Sequence, residues 1–360
     1  MKNVLVIGAG SIGNHLCHAC RERGWSVDLY DIDPEALTRT RDTIYPTRYG
    51  KWDEEIHLLY SADFASHYDL AIIGTPPDTH LSVAIQLLET LEVTCILLEK
   101  PLCSPSLEGL GYLQSELSRT DSRAVVGYNH IFTANTTRAE AVIRENDFGP
   151  PVSLHVRWLE HWGGIFGAHP WLSGPQDTYL GDWSKGGGAC GEHSHAISLW
   201  QHFSNLIGMG WIDTVSCLMK IIEGERLKYD ETAVLQVTSK NGLIGSIIQD
   251  VVTAPAEKSM RIQFRNGFLE WKANIDSSHD AIEFQVGNSE PTIEKFKRLR
   301  PDDFVGQMNH IDAILSRPDL ATTSPNRLEE GIWVMKVISA AHRSHIESRT
   351  VQVEEIENPW

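Results

Sequence analysis

No stretch of the 360-residue sequence is apolar for long enough to cross a bilayer, and no basic block offsets its acidity. The 31 Lys and Arg stand against 48 Asp and Glu, a formal net charge of −17. A chain so acidic repels nucleic acid and anionic membrane, so neither is expected as a partner. Cysteine is sparse, at six residues. Cys17 and Cys20 have C-x-x-C spacing, but no second ligand pair accompanies them. Two small core residues on one helix face are expected there, rather than a zinc or redox site. With no disulfide framework, the expected compartment is a reducing cytoplasm. There is no internal repeat and no low-complexity tract. The apolar run after Lys2 is short and is followed by Asn14, His15 and His18, which argues against a secretion signal. What is present is an ordinary soluble composition, 41% hydrophobic and 22% charged, over a length that suits two domains.

The N-terminus carries the most specific pattern. Val4–Ile7 reads as a short buried strand, followed by Gly8-Ala9-Gly10-Ser11-Ile12-Gly13 and a helix. In a G-x-G-x-x-G turn the first glycine permits the tight bend. Gly10 lets the backbone approach a pyrophosphate at the helix N-terminus, and Gly13 permits close helix–strand packing. A second strand ends in Asp31, placed to accept hydrogen bonds from a ribose diol. Ser11, Ile12 and Ile32 flank these elements and are expected at the same cofactor. An acid at this position favours NAD over NADP, whose 2′-phosphate it repels. Arg39 and Arg41 lie downstream and are read as a solvated helix face.

Strands at 4–7, 27–30, 70–73, 96–98 and 124–127 alternate with helices near 11–23, 34–44, 78–89 and 105–118. This is an α/β, doubly wound parallel sheet of Rossmann type, expected over residues 1–130. After Gly149-Pro150-Pro151 the period changes to two. Strands are expected at 152–159, 215–221, 233–238, 243–251, 260–264 and 268–271, with hairpin turns at Asn241-Gly242 and Asn266-Gly267. Helices are expected near 190–205, 304–316 and 326–347. Residues 131–360 thus read as an α+β domain on an open, mainly antiparallel sheet.

Two further turns carry chemistry. Thr75-Pro76-Pro77 with His80 stiffens the end of one strand, and Glu99-Lys100-Pro101 ends the next. A lysine at a strand's carboxyl end beside a dinucleotide site is a poor structural choice and a good proton donor. With these motifs, Gly127-Tyr128-Asn129, Gly186-Gly187-Gly188, the segment Phe304–Leu315 and Ala340-Ala341-His342-Arg343-Ser344, the chain resembles the glucose–fructose oxidoreductase / inositol dehydrogenase / rhizopine-catabolism (Gfo/Idh/MocA) family over nearly its whole length.

That resemblance implies a catalytic Lys100, a cis Lys100–Pro101 bond, and a homodimer or homotetramer built on the open sheet. It also implies cofactor contacts from Thr75, Pro76, Pro77, His80, Glu99, Lys100 and Asn129. The remaining site residues follow the three glycines. Many relatives carry an aspartate and, four residues later, a histidine; here the acid is Glu192 and the histidine His195, three residues on. On one helix these two share a face and His193 points away. Glu192 would then raise the pKa of His195, so that the base form dominates only above about pH 7. The choice of titrating base stays open between His193 and His195. Trp171 and Trp183, in a loop with Asp177, Asp182 and Lys185, suit a sugar ring and its hydroxyls, or simple packing. Tyr128 is a further expected substrate contact. His161, His169, Glu192 and His195 match no metal spacing, so no metal is expected.

The resulting expectation is an NAD(P)-dependent oxidoreductase interconverting CH–OH and C=O on a polyol, sugar, cyclitol or sugar derivative. His195 would take the hydroxyl proton, Glu192 would orient it, and Lys100 would stabilise the charged oxygen. The alternative is a dinucleotide-binding sensor of the same fold, which retention of Lys100, Glu192 and His195 opposes.

Overall fold

The computed structural model describes residues 1–168, 172–299 and 301–357. Six parallel strands, β1 (Asn3–Ile7), β2 (Ser26–Tyr30), β3 (Ile56–Leu59), β4 (His67–Ile73), β5 (Glu92–Leu98) and β6 (Arg123–Val126), form one sheet in the order 3-2-1-4-5-6. Helices α1 (Ser11–Glu22), α2 (Pro34–Arg39), α3 (Tyr45–Tyr49), α4 (His80–Thr90) and α5 (Leu110–Thr120) connect them. Central strands buried on both faces explain the near-continuous apolar runs: Val4 to Val6, Leu70 to Ile73 and Cys95 to Leu98 are almost wholly inaccessible.

The helical stretch expected to end at 44 continues to Tyr49 through a π-turn at 40–44. Pro46 lacks the N–H that a regular α-turn would use, and the wider turn accommodates it. The short strand β3 that follows was not foreseen. The helix expected from 105 starts at Leu110, because Leu107 (φ 59°) and Gly109 (φ 86°) are left-handed.

Among the described residues the second sheet has nine strands: β7 (Pro151–Leu159), β8 (Ile212–Gly224), β9 (Leu227–Ser239), β10 (Ile244–Asp250), β11 (Glu257–Phe264), β12 (Gly267–Ala273), β13 (His279–Val286), β14 (Thr292–Lys297) and β15 (Val351–Gln352). Their order is 14-13-12-11-7-10-9-8-15, and only β7–β10 is parallel. Both Asn-Gly hairpins fall where the sequence puts them. Helices α6 (Ala134–Glu145), α7 (Gly163–Ala168), α8 (Gly188–Glu192), α9 (His195–Leu206), α10 (Asp302–Ser316), α11 (Leu320–Thr323) and α12 (Leu328–Glu347) complete the chain. Of these, α6, α9 and α12 pack on the large sheet, over a core that includes the fully buried Trp158, Trp200 and Trp271. The described residues include no helix long and apolar enough to cross a membrane.

Late in the chain the path returns to the first sheet. Phe304, Met308, Ile311 and Ile314 of α10 belong to the same core cluster as Leu16, Cys17 and Cys20 of α1. Asn326 O then accepts from Val126 N at 2.8 Å. Cys17 and Cys20 are buried and unbridged, as two core residues should be.

Candidate active site

A cavity of about 1090 Å³ lies between the carboxyl ends of β1, β4, β5 and β6 and the near ends of β7, β11, β12 and β13. Gly10, Ser11 and Ile12 open it at the N-terminus of α1. A side chain at Gly13 would bring its Cβ to 1.9 Å from Gly8 O, whereas one at Gly10 would meet nothing within 4 Å. One glycine is therefore required by packing, and the other leaves free approach for a ligand on the first-turn N–H groups. This fits a pyrophosphate. Arg48, not among the residues expected at the cofactor, lines the same corner. It donates to Ser11 O at 2.8 Å and to Ser11 Oγ at 2.7 Å.

Asp31 stands at the carboxyl end of β2. Its Oδ2 accepts from Ala9 N at 2.7 Å and its Oδ1 from Asp33 N at 2.9 Å. Each oxygen keeps a second lone pair for a hydroxyl. Ile32 is 89% exposed beside it. Arg39 is held by Asp33 at 2.9 Å and Arg41 by Asp42 at 2.6 Å, as surface residues would be.

Thr75, Pro76, Glu99, Lys100 and Asn129 line the cavity, but Pro77 and His80 do not. His80 is 0% exposed, with Nε2 2.7 Å from Thr75 O and Nδ1 3.2 Å from Leu102 O. It ties the proline turn to the segment after the cis Lys100–Pro101 bond, behind the cavity lining. Asn129 is oriented by Asp303, its Nδ2 donating to Oδ2 at 3.0 Å.

Lys100 Nζ lies 3.2 Å from Glu192 Oε1 and donates to Glu192 O at 2.8 Å. Tyr179, also in the lining, places its hydroxyl 3.4 Å from Glu192 Oε2. Glu99 is buried next to the lysine. Its Oε2 accepts from Lys100 N at 3.2 Å, and burial raises its carboxyl to about 7. That carboxyl yields a prediction. A raised acid pKa stabilises the fold fully below the unfolded value, and this contribution is lost as pH rises through 7. Glu99→Gln should therefore gain stability over the wild type by about 2 kcal/mol between pH 5 and pH 8. Urea unfolding at the two pH values measures this, and parallel curves would show Glu99 ionised throughout.

The expected single helix carrying Glu192 and His195 is broken. Glu192 ends α8, His195 begins α9, and His193 and Ser194 form the turn between them. Three corrections follow. His193 does not face away: it lines the cavity with Glu192 and His195, its Nε2 3.2 Å from Glu160 O. Glu192 is engaged by Lys100 and Tyr179 rather than oriented toward His195. The His195 pKa is not raised but pushed well below the usual imidazole range, by burial first and then by His130 and Lys100. The ring stacks on Trp158, with centroids 5.6 Å apart, and meets His130 and Tyr128 edge-on. Its Nδ1 is buried without a hydrogen-bond partner among the described residues.

Tyr128 is itself buried behind His195, outside the cavity lining, because its ring fills the core under the site. Trp183 is also outside: it stacks on His342 of α12 at 4.2 Å. Trp171 and His169 fall outside the described residues. Asp177 lines the cavity, whereas Asp182 turns to Ser184 N and Lys185 is exposed. Residues the sequence did not flag also face the cavity, among them His130, Trp158, Glu160 and Lys258. Trp158 and Glu160 had a visible signal, since they end the first strand after the domain exit.

The geometry has clear relatives. Residues 2–128 match the oxidoreductase family model with NAD-binding Rossmann fold. A search of the curated proteins finds no match. Among solved structures, an oxidoreductase from Agrobacterium radiobacter in complex with NAD+, L-tartaric acid and magnesium is 16% identical, with a TM-score of 0.75 and 99% of each chain covered. Levoglucosan dehydrogenase in complex with NADH and levoglucosan is 15% identical, with a TM-score of 0.74 over 98% of this chain and 99% of that one. The WlbA dehydrogenase from Bordetella pertussis, in complex with NADH and UDP-GlcNAcA, is 18% identical, with a TM-score of 0.69 over 97% and 98%. Residues 2–128 thus match the Gfo/Idh/MocA oxidoreductase family model, and the whole chain shares the fold of these solved structures.

Proposed function

We propose that the protein is a cytoplasmic, homo-oligomeric NAD-dependent dehydrogenase that interconverts CH–OH and C=O on a sugar, cyclitol or related polyol. In this reading residues 1–130 hold the dinucleotide and residues 131–360 supply most of the substrate wall. The observation that carries the reading is the Lys100–Glu192 pair at 3.2 Å, in one cavity with the open glycine turn and His195. Levoglucosan and UDP-GlcNAcA in structures of the same fold support a polyhydroxylated substrate.

A dinucleotide, once bound, would supply the hydride acceptor, and the N–H groups around Gly10 together with Asp31 would hold it. The protein supplies the proton chemistry. Neutral His195 accepts the hydroxyl proton, and the Lys100 ammonium hydrogen-bonds the oxygen as negative charge develops on it. Glu192 fixes the lysine, and Tyr179 fixes Glu192. His130, Trp158 and Tyr128 pack around the base and hold its ring in place.

NADH formation, followed optically over a panel of cyclitols, aldoses, uronic acids and anhydrosugars, tests this. Turnover with one class supports it. Tight NAD binding with no turnover across the panel would favour a sensor. Cofactor choice gives a separate check. Asp31→Ser should weaken NAD binding and narrow the gap to NADP, because the carboxylate both holds the diol and repels a 2′-phosphate. Equal affinity of the unmodified protein for the two dinucleotides would rule that argument out.

A further inference from the structure

Outside the cavity, three buried side chains from distant parts of the sequence converge. Cys190 lies on α8, Asp230 on β9 and His342 on α12, and one potential ligand atom of each lies within 4.8 Å of the others. Asp230 is 0% and His342 4% exposed. Asp230 Oδ2 accepts from Cys190 N at 2.7 Å, which leaves Oδ1 to face His342 Nε2 across 3.7 Å. That gap is too long for a hydrogen bond. Both atoms are buried without a hydrogen-bond partner among the described residues. Two unsatisfied buried polar atoms aimed at each other need a physical explanation. The backbone also makes room here: a Cβ at Gly188 (φ +75°) would lie 1.9 Å from Asp230 Oδ1.

We infer that Cys190, Asp230 and His342 form a binding site for a thiophilic divalent transition ion of the zinc class. A tetrahedral ion at ordinary bond lengths separates its nitrogen and oxygen ligands by about 3.3 Å, so the present pair needs to close by only a few tenths of an ångström. Charge also balances. One thiolate, one carboxylate and a neutral imidazole cancel a dication, so the buried site carries no net charge. On binding, the Cys190 S–H bond breaks, its proton passes to solvent, and a sulfur–metal bond replaces it. Water completes the fourth position. The ion clamps α8, two residues before Glu192, to β9 and to the last helix. It is thus a structural brace behind the cavity and takes no part in the reaction. The sequence concealed it, because the ligands are 40 and 112 residues apart and no spacing pattern links them.

Trp183, stacked on the His342 ring, provides a built-in reporter. Untagged full-length protein, stripped with a chelator and kept reduced, is titrated with Co²⁺ at neutral pH. The expected result is one equivalent bound, with a sulfur-to-cobalt charge-transfer band, the visible bands of a tetrahedral site and quenched tryptophan emission. Zn²⁺ should displace the cobalt and raise Tm by on the order of 3 °C. Trp183→Phe should remove most of the emission change and leave the absorption bands intact. Cys190→Ser should abolish the charge-transfer band. Asp230→Asn and His342→Gln should each lower affinity by more than the roughly 10–100-fold that losing an outer partner costs. Should these buried variants fail to fold, the wild-type titration still decides. No charge-transfer band at one equivalent overturns the site. A band that survives in folded Cys190→Ser overturns it too, since the sulfur would then come from another cysteine.

Discussion

Replacing Lys100 with methionine should lower turnover roughly 10²–10³-fold and leave dinucleotide affinity nearly unchanged. The methionine keeps the apolar stem and removes the ammonium, whose contacts lie on the Glu192 side of the cavity, away from the glycine turn. The substitution also leaves Glu192 without its cation in a largely buried setting, at a cost of about 1–3 kcal/mol. The double variant Lys100→Met/Glu192→Gln separates the two effects: it should recover stability without recovering rate. Near-normal turnover in Lys100→Met would make the lysine a structural residue and remove the basis of the proposed chemistry.

His195→Ala should cut oxidation by roughly 10²–10⁴-fold, and His193→Ala should change turnover much less. The two histidines share a cavity but not a situation. His193 is committed to Glu160 O through its ring and to Gln249 Nε2 through its carbonyl, so its loss mainly loosens the turn between α8 and α9. His195 is held by ring stacking on Trp158 and is kept neutral by burial and nearby cations. Its base form is therefore already present well below neutral pH, and kcat/KM for oxidation should not fall through pH 7 on its account. Glu99, raised to about 7, is the group whose titration should appear there. A step near pH 7 that disappears in Glu99→Gln would agree with this assignment. The same step moving in Glu160→Gln but not in Glu99→Gln would contradict it, as would His193→Ala being the inactive variant.

The parts of this site that were legible in the sequence are those set by local backbone requirements. Gly8, Gly10 and Gly13, the proline turn after β4 and the Glu99-Lys100-Pro101 element are contiguous, and each has one conformation that suits its residues. What was not legible depends on which remote group arrives opposite. The face assigned to His193 failed because a two-residue break between α8 and α9 resets the helical phase, and nothing at Ser194 announces it. The pairing of Glu192 went to Lys100, 92 positions earlier, rather than to its neighbour. Arg48 reached the glycine turn only because the π-turn carries the helix past Pro46 to Tyr49. In the fold, β13 and β14 were missed: β14 at the sheet edge buries no residue fully, and its apolar Ile293 and Phe296 fall on opposite faces, so no apolar alternation marks it.

The return of α10 to α1 bears on how the molecule is made. The helix that covers Leu16, Cys17 and Cys20 is encoded about 175 residues after the last strand of the first sheet. At ribosomal speeds of roughly 5–20 residues per second, that is on the order of 10–30 s of synthesis during which the nascent first half stands with an apolar flank uncovered. The nucleotide half is therefore not a module that can be cut at residue 130 and expected to stay in solution. A fragment ending there should aggregate, and supplying residues 302–327 through a short linker should rescue it.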